Sequence, residues 1–193
     1  MVRTVKETGK QSQLRIIGGQ WRGRKLSFTP AEGLRPTSDR VRETLFNWVA
    51  PHINGARCAD LFSGSGALGL EALSRGARHC DFVDTSPAAL AQIDDHLTIL
   101  NAATAGLCHR TSAQQFMQAV RMRYDLVFVD PPFGKGLVDP TCALLAERQL
   151  LNTGGMVYVE TASSEPPPTL PPGWSIYRDK STSGVAYRLL SVD

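Results

Sequence analysis

Asp60-Leu61-Phe62-Ser63-Gly64-Ser65-Gly66-Ala67-Leu68-Gly69-Leu70-Glu71 joins a short apolar run to a helix through a glycine-rich turn. Without side chains at Gly64 and Gly66 the backbone can turn sharply and approach a ligand closely. Gly69 lets the following helix pack tightly on its strand. That helix presents free N–H groups and a positive end to whatever lies in the turn. The stretch reads as a nucleotide-binding loop, with Asp60, Phe62, Ser63, Gly64, Ser65 and Gly66 as candidate cofactor contacts.

Taken alone, Gly64-x-Gly66-x-x-Gly69 also matches the fingerprint of nicotinamide and flavin dehydrogenases, with Asp84 twenty residues after Gly64 as the ribose-binding acid. Two features pull the reading elsewhere. Asp60 is an acid placed before the glycines, and Asp130-Pro131-Pro132-Phe133 ends a later strand. Together they point to S-adenosylmethionine-dependent methyl transfer to an exocyclic amine.

Outward from the loop, strand and helix alternate, which predicts a parallel sheet with helices on both faces. Cys58 to Leu61 is the first core strand, and Ala67 to Arg75 is the helix that Gly76 stops. Cys80 to Asp84 is the second strand. Ser86 caps and Pro87 starts a helix whose Leu90, Ile93, Leu97 and Leu100 form a buried stripe. Leu107 to Arg110 is a third strand, followed by a helix over Gln114 to Arg121. The run Asp125-Leu126-Val127-Phe128-Val129-Asp130 is nearly continuously apolar, as expected of a central strand covered on both faces. Val138 to Leu150 is helical, Gly154-Gly155 turns, and Met156 to Glu160 is the fifth strand. After the proline-rich loop Glu165 to Gly173, Trp174 to Lys180 and Val185 to Val192 close the fold as a hairpin.

Towards the N-terminus the pattern changes. Residues 1–13 are polar and aperiodic and are expected to form a basic, mobile arm. Residues 14–50 read as a hairpin and helix extension, ahead of a catalytic domain over 51–193. Leu14 to Ile17 and Arg24 to Phe28 flank the turn Gly18 to Gly23, whose Trp21 sits between basic residues. Arg15, Trp21, Arg22, Arg24 and Lys25 can hold phosphates and stack on a base, so they are the candidate RNA contacts. The competing reading has Trp21 capping the hairpin core. Thr37, Ser38 or Asp39 can cap the next helix. Its apolar stripe is Val41, Leu45, Trp48 and Val49, its other face carries Arg40, Arg42 and Glu43, and Pro51 ends it.

Composition fits this plan. The chain has 193 residues, 42% of them hydrophobic, enough for one well-buried domain with a small appendage. No stretch reaches the roughly 18 apolar residues of a membrane span, and Met1 to Gln13 lacks a signal-peptide core, so a cytoplasmic protein is expected. Cys58, Cys80, Cys108 and Cys142 form no C-x-x-C pair, which argues for free thiols rather than a metal site or disulfides. The net charge of +3 conceals an asymmetry. Residues 1–43 hold ten Lys and Arg against four Asp and Glu, and the remainder holds eleven against fourteen. A basic N-terminal part ahead of a methyltransferase domain favours a nucleic-acid partner.

In an open α/β sheet the ligand sits beyond the C-terminal strand ends, where Asp60, Asp84, Ser112 and Asp130 converge. Asp84 can accept from two ribose hydroxyls, Asp60 can meet the cationic amino end of the cofactor, and backbone around Ser112 and Ala113 can meet the adenine edge. Two prolines directly after a buried strand fix an extended turn with its carbonyls outward. The Asp130 carboxylate and the Pro131 carbonyl can then accept both protons of an NH2 group and aim its nitrogen at the methyl. Phe133 can stack on a flipped base. Such a displacement is governed by positioning, needs no strong base and requires no metal.

Beyond these motifs, Ile16-Ile17-Gly18-Gly19-x-Trp21-Arg22-Gly23-Arg24-x-Leu26 and Leu34-Arg35-Pro36-Thr37-x-Asp39-Arg40-Val41-Arg42-Glu43-Thr44-Leu45-Phe46-Asn47 stand ahead of the glycine loop. With Asp130-Pro131-Pro132-Phe133 they closely resemble the RsmD family of 16S rRNA guanine-N2 methyltransferases, from about Leu14 to Leu190. The resemblance implies a Rossmann-like methyltransferase sheet of seven strands with an N-terminal hairpin. It implies S-adenosylmethionine as cofactor and 16S rRNA in an assembling small subunit as partner; a monomer is expected. It also implies that Asp130, Pro131, Pro132 and Phe133 hold the guanine, and that Thr37 and Arg40 lie near the methionine end of the cofactor. Members of the family carry a second acid two residues past the one that ends the second strand. Here that position is Ser86, which leaves ribose binding to Asp84.

Three rivals remain at this level. A DNA adenine methyltransferase shares the catalytic motif, but the chain has only about forty N-terminal residues to spare for recognising DNA. A dehydrogenase leaves Asp130 to Phe133 without a role. A non-catalytic RNA-binding protein has no need of that motif.

Overall fold

The computed structural model describes residues 12–29 and 37–193. Most of the expected N-terminal arm, and Leu34, Arg35 and Pro36 of the resembling block, lie outside the described residues.

The N-terminal hairpin is β1 (Ser12–Arg15) and β2 (Lys25–Phe28), paired antiparallel with Leu14 opposite Leu26. Helices α1 (Asp39–Trp48) and α2 (Ala50–Ile53) follow. The alternating core runs β3 (Arg57–Asp60), α3 (Ala67–Ser74), β4 (His79–Asp84), α4 (Pro87–Ile99), β5 (Gly106–Arg110), α5 (Ala113–Ala119), β6 (Tyr124–Val129) and α6 (Val138–Glu147). It closes with β7 (Leu151–Ala162), β8 (Trp174–Thr182) and β9 (Val185–Val192). The seven-stranded sheet has the order β5-β4-β3-β6-β7-β9-β8; β9 is antiparallel to both its neighbours, and the other pairs are parallel. Chain order reverses between β3 and β6, so a crevice opens at the C-terminal ends of those two strands.

Both faces of the sheet are buried, as the apolar run through β6 requires. Leu126 and Phe128 join one hydrophobic cluster with residues of α1, α3 and α4, while Val127 and Val129 join a second with residues of α5 and α6. Successive side chains of a strand alternate between those two clusters. Gly69 sits where α3 crosses the sheet. A Cβ there would stand 2.2 Å from the Phe82 ring and 2.8 Å from the Cys80 sulfur, so only glycine allows this approach.

The hairpin is docked on the first cluster, to which Leu14, Ile16, Leu26 and Phe28 belong. Its loop meets the C-terminal end of α3. The Ser74 hydroxyl donates to the Gly18 carbonyl at 2.6 Å and accepts from the Trp21 N–H at 3.0 Å, while the Gln20 N–H donates to the Ser74 carbonyl at 2.8 Å. Gly19 adopts φ +77, and a Cβ there would lie 1.9 Å from the Ser74 carbonyl oxygen.

Four local expectations are corrected. Arg42, expected on the face of α1 opposite the apolar stripe, is 1% exposed. It donates to the Asp39 carboxylate at 2.7 Å and to the Arg15 carbonyl at 2.9 Å, and lies 3.5 Å from the Glu71 carboxylate. Phe46 is fully buried beside Leu45, whereas Trp48 is half-buried and stacks on Tyr187 at 5.4 Å. The buried face of α1 is thus rotated towards Arg42 because the hairpin covers it. Pro51 lies in the first turn of α2, where its missing N–H costs nothing. Gly154-Gly155 lies inside one long strand: the register of β7 against β6 shifts there, and Gly154 adopts φ +72. Ser12 and Gln13, expected in the arm, belong to β1.

Candidate active site

Three strand-end acids converge on the crevice. Asp60 closes β3 and is 1% exposed. Its Oδ2 accepts from the Gly69 N–H at 3.1 Å, which ties the acid to the first turn of α3, whereas its buried Oδ1 has no hydrogen-bond partner. Burial raises its pKa from 3.8 to about 7, the Gly69 N–H and more weakly the Phe62 N–H oppose the rise, and the charges of Asp130 and Asp84 add to it. A buried carboxylate oxygen without a donor calls for a cationic or hydrogen-bonding ligand.

The loop around it is braced on both sides. The Ser63 N–H bonds the Val83 carbonyl at 3.0 Å, the Ser63 hydroxyl donates to the Asp60 carbonyl at 2.8 Å, and the Gly66 N–H bonds the Ser63 carbonyl at 2.7 Å. Gly66 adopts φ +77 as the residue preceding α3. Asp84, half-buried at the end of β4, accepts from the Gly64 N–H at 2.9 Å and from the Ser86 N–H at 2.8 Å. Those bonds fix the carboxylate against the glycine loop, and its second lone pairs can still accept from a diol. Ser112 caps α5 by accepting from the Gln115 N–H at 3.2 Å and, with Ala113, lines the same crevice.

Asp130 follows β6. The Thr37 hydroxyl donates to its Oδ2 at 2.9 Å, and burial raises its pKa from 3.8 to about 6 against the lowering effect of that hydrogen bond. Pro131 is buried, Pro132 is exposed, and half-buried Phe133 packs on the first hydrophobic cluster. The Gly134 N–H donates to Glu165 at 2.9 Å, tying this turn to the proline-rich loop.

One cavity of about 1440 Å³ joins these parts. It is lined by Asp60, Phe62, Ser63, Gly64, Ser65, Asp84, Ser112 and Ala113, and also by Thr37, Asp130, Pro131, Pro132 and Phe133. Its size exceeds the roughly 300–1,000 Å³ of an ordinary small-molecule pocket, leaving room for a cofactor and a base together. Gly66 lies outside the lining: a Cβ there would meet the Ile93 side chain at 2.9 Å, so it serves the turn. Arg40 is exposed on α1 and does not line the cavity, although Ser38 and Val41 on either side of it do. Arg15, Arg22, Arg24 and Lys25 are exposed on the hairpin, Trp21 is half-buried against the core, and none of the five lines the cavity. Arg24 also donates to the Ile99 carbonyl at 3.2 Å.

Sequence reasoning passed over Glu160, a buried acid of β7 that lines the cavity and accepts from the Tyr158 hydroxyl at 2.6 Å. The signal was available, because Glu160 ends an expected strand in the same way as Asp84 and Asp130. Among the described residues no helix is long and apolar enough to cross a membrane.

Comparison with known proteins identifies the family. A family model described as Conserved hypothetical protein 95 matches residues 14–191. The chain is 48% identical over 177 residues to ribosomal RNA small subunit methyltransferase D of Escherichia coli, covering 92% of this chain and 89% of that one. It is 39% identical over 191 residues to the protein of the same name from Haemophilus influenzae, covering 97% and 98%. The solved structure of yhhF from Escherichia coli superposes with a TM-score of 0.86 at 46% identity, over 94% of this chain and 99% of that one. With the match spanning hairpin, glycine loop and Asp130 turn alike, the chain belongs to the ribosomal RNA small subunit methyltransferase D family, RsmD.

Proposed function

We propose that this protein transfers a methyl group from S-adenosylmethionine to the exocyclic N2 amine of a guanine in 16S rRNA, acting as a cytoplasmic monomer on the assembling small ribosomal subunit. The observation that carries the reading is the shared cavity, in which an orphaned Asp60 oxygen and the Asp130-Pro131-Pro132-Phe133 turn face one space. Family membership supports rRNA as the substrate.

The residues present fit the cofactor. Asp60 Oδ1 is a buried acceptor suited to the ammonium of its methionine end, Asp84 to its ribose diol, and the Ser112-Ala113 turn to its adenine edge. When bound, the cofactor supplies an electrophilic methyl on a sulfonium. Asp130 and the Pro131 carbonyl accept the two amine protons and so turn the nitrogen lone pair towards that methyl. Phe133 offers a face for the flipped guanine. Above pH 6 Asp130 is mainly the carboxylate that this work needs, since its pKa is about 6. It orients the amine, and no strong base is called for because the methylated amine sheds its extra proton readily.

The test is label transfer from S-adenosylmethionine to unmodified small subunits, deproteinised rRNA and duplex DNA in parallel, with the product nucleoside identified by mass. N2-methylguanosine from subunits is expected. N6-methyladenine from DNA would overturn the substrate, and no label in any of the three would overturn the activity. Asp130→Ala is expected to abolish transfer while calorimetry still shows cofactor binding, because the hydrogen bonds removed are those to the amine and to the Thr37 hydroxyl.

A further inference from the structure

Thr37, Ser38 and Asp39 are three consecutive polar residues at the start of α1, and each is suited to capping that helix. The structure divides them among three tasks. Ser38 takes the cap, its hydroxyl accepting from the Val41 N–H at 3.3 Å. Asp39 pairs with Arg42 at 2.7 Å. Thr37 leaves the helix altogether and donates to Asp130 Oδ2 at 2.9 Å, across 93 residues of sequence. We propose that Thr37 is a positioning residue for Asp130: its hydroxyl occupies Oδ2, fixes the plane of the carboxylate and keeps Oδ1 for the substrate amine. This rests on the reading of Asp130 as the acceptor for that amine.

The surroundings explain why such a donor is needed. Asp130 shares its cavity with acids of the neighbouring strands and, from α6 and the loop before it, with Glu147, Arg148 and Lys135. Asp60 closes β3 on one side, and its charge couples to that of Asp130. On the other side, β7 carries Tyr158 and Glu160, the latter one position beyond the Val129–Val159 pair. Asp84 and Lys135 line the same cavity. Burial favours the protonated form of Asp130, and a protonated Asp130 would present a donor where the amine needs an acceptor. The Thr37 hydroxyl favours the ionised form and defines which oxygen remains for the substrate. A β-branched side chain has one stiff χ1 rotor, so the donor is held in place at little entropic cost.

The experiment compares wild type, Thr37→Val and Thr37→Ser in the full chain. It measures kcat against pH at saturating S-adenosylmethionine, and cofactor affinity by calorimetry. Valine keeps the shape and removes the donor. For Thr37→Val the acid limb of kcat is expected to move up by on the order of one pH unit, the equivalent of one hydrogen bond. The deficit should therefore be about tenfold near the limb and shrink above pH 8. Thr37→Ser should return the limb towards wild type, and cofactor affinity should hold in both variants. The inference falls if the Thr37→Val deficit is the same at every pH, as a merely structural defect would give. It also falls if cofactor affinity drops in step with kcat, since Thr37 would then be a cofactor ligand. If wild type itself makes no N2-methylguanosine, the parent reading falls with it, whereas a normal wild type beside an unshifted Thr37→Val removes this inference alone.

Discussion

As the proposed ligand of the cofactor's ammonium, Asp60 would place function and stability in opposition within one side chain. In the folded, cofactor-free protein its pKa rises from 3.8 to about 7, chiefly through burial. The folded state therefore keeps a proton that the unfolded chain releases above pH 4, so stability falls as pH climbs from about 4 to about 7 and is flat beyond. Asp60→Asn removes that burden while still offering an oxygen to the Gly69 N–H. The variant is expected to melt several degrees above wild type at pH 8, with the gap closing towards pH 5. Cofactor binding should move the other way. Affinity of the wild type should rise as pH passes 7 and Asp60 ionises, while Asp60→Asn should bind at least about tenfold more weakly and without that pH dependence. Calorimetry at pH 6 and pH 8 together with thermal melts checks both; equal melting differences at pH 5 and pH 8 would contradict the assignment. The position of this acid was legible from its place before the glycines. Its orphaned oxygen was not, because that depends on which N–H groups the folded loop turns towards it.

At the scale of elements, Glu71 joins three segments that the sequence presents separately. It is wholly buried on α3. It accepts from the N–H groups of Ile17 and Gly18 at 2.9 and 2.8 Å and from Arg75 at 2.7 Å, with Arg42 of α1 at 3.5 Å. Glu71→Ala leaves buried Arg42, half-buried Arg75 and the part-buried N–H groups of Ile17 and Gly18 without this partner. The expected cost is about 3–5 kcal/mol in urea unfolding, with the hairpin becoming sensitive to limited proteolysis before the sheet does. An unchanged urea midpoint would mean that hairpin packing alone suffices. The strands and helices of the core were legible because each carries its own apolar period, and the stripe Leu90, Ile93, Leu97 and Leu100 is buried as expected. Arg42 was not, since a cation at a buried position contradicts local pattern and makes sense only once Glu71 lies opposite it. The bond from Thr37 to Asp130 escaped for the same reason: no local spacing links residues so far apart in the chain.

On the scale of the whole molecule, α3 separates two surfaces. Its N-terminal end opens on the cavity and its C-terminal end holds the hairpin loop, so eight helical residues put about 12 Å between glycine loop and hairpin tip. The basic excess of the N-terminal part, visible in the charge count, is carried among the described residues by exposed Arg15, Arg22, Arg24 and Lys25 on the hairpin and by exposed Arg40 on α1. Trp21 is half-buried against the core, which limits it to bracing the loop or meeting a base with one edge. The proposed function implies a division of labour, in which the cavity would read one guanine and the hairpin would engage the surrounding phosphates. Arg22→Ala with Arg24→Ala should weaken binding to small subunits and lower the slope of log K against log salt by about one for each phosphate left without its arginine. Arg24 also braces the hairpin against the Ile99 carbonyl, so the single Arg22→Ala variant isolates the phosphate effect from any loosening of the hairpin. Because neither arginine lines the cavity, cofactor affinity should stay within error of wild type in both variants. A parallel fall in cofactor affinity would show that hairpin and glycine loop communicate through α3, and an unchanged salt slope would move the rRNA-binding surface to another face of the molecule.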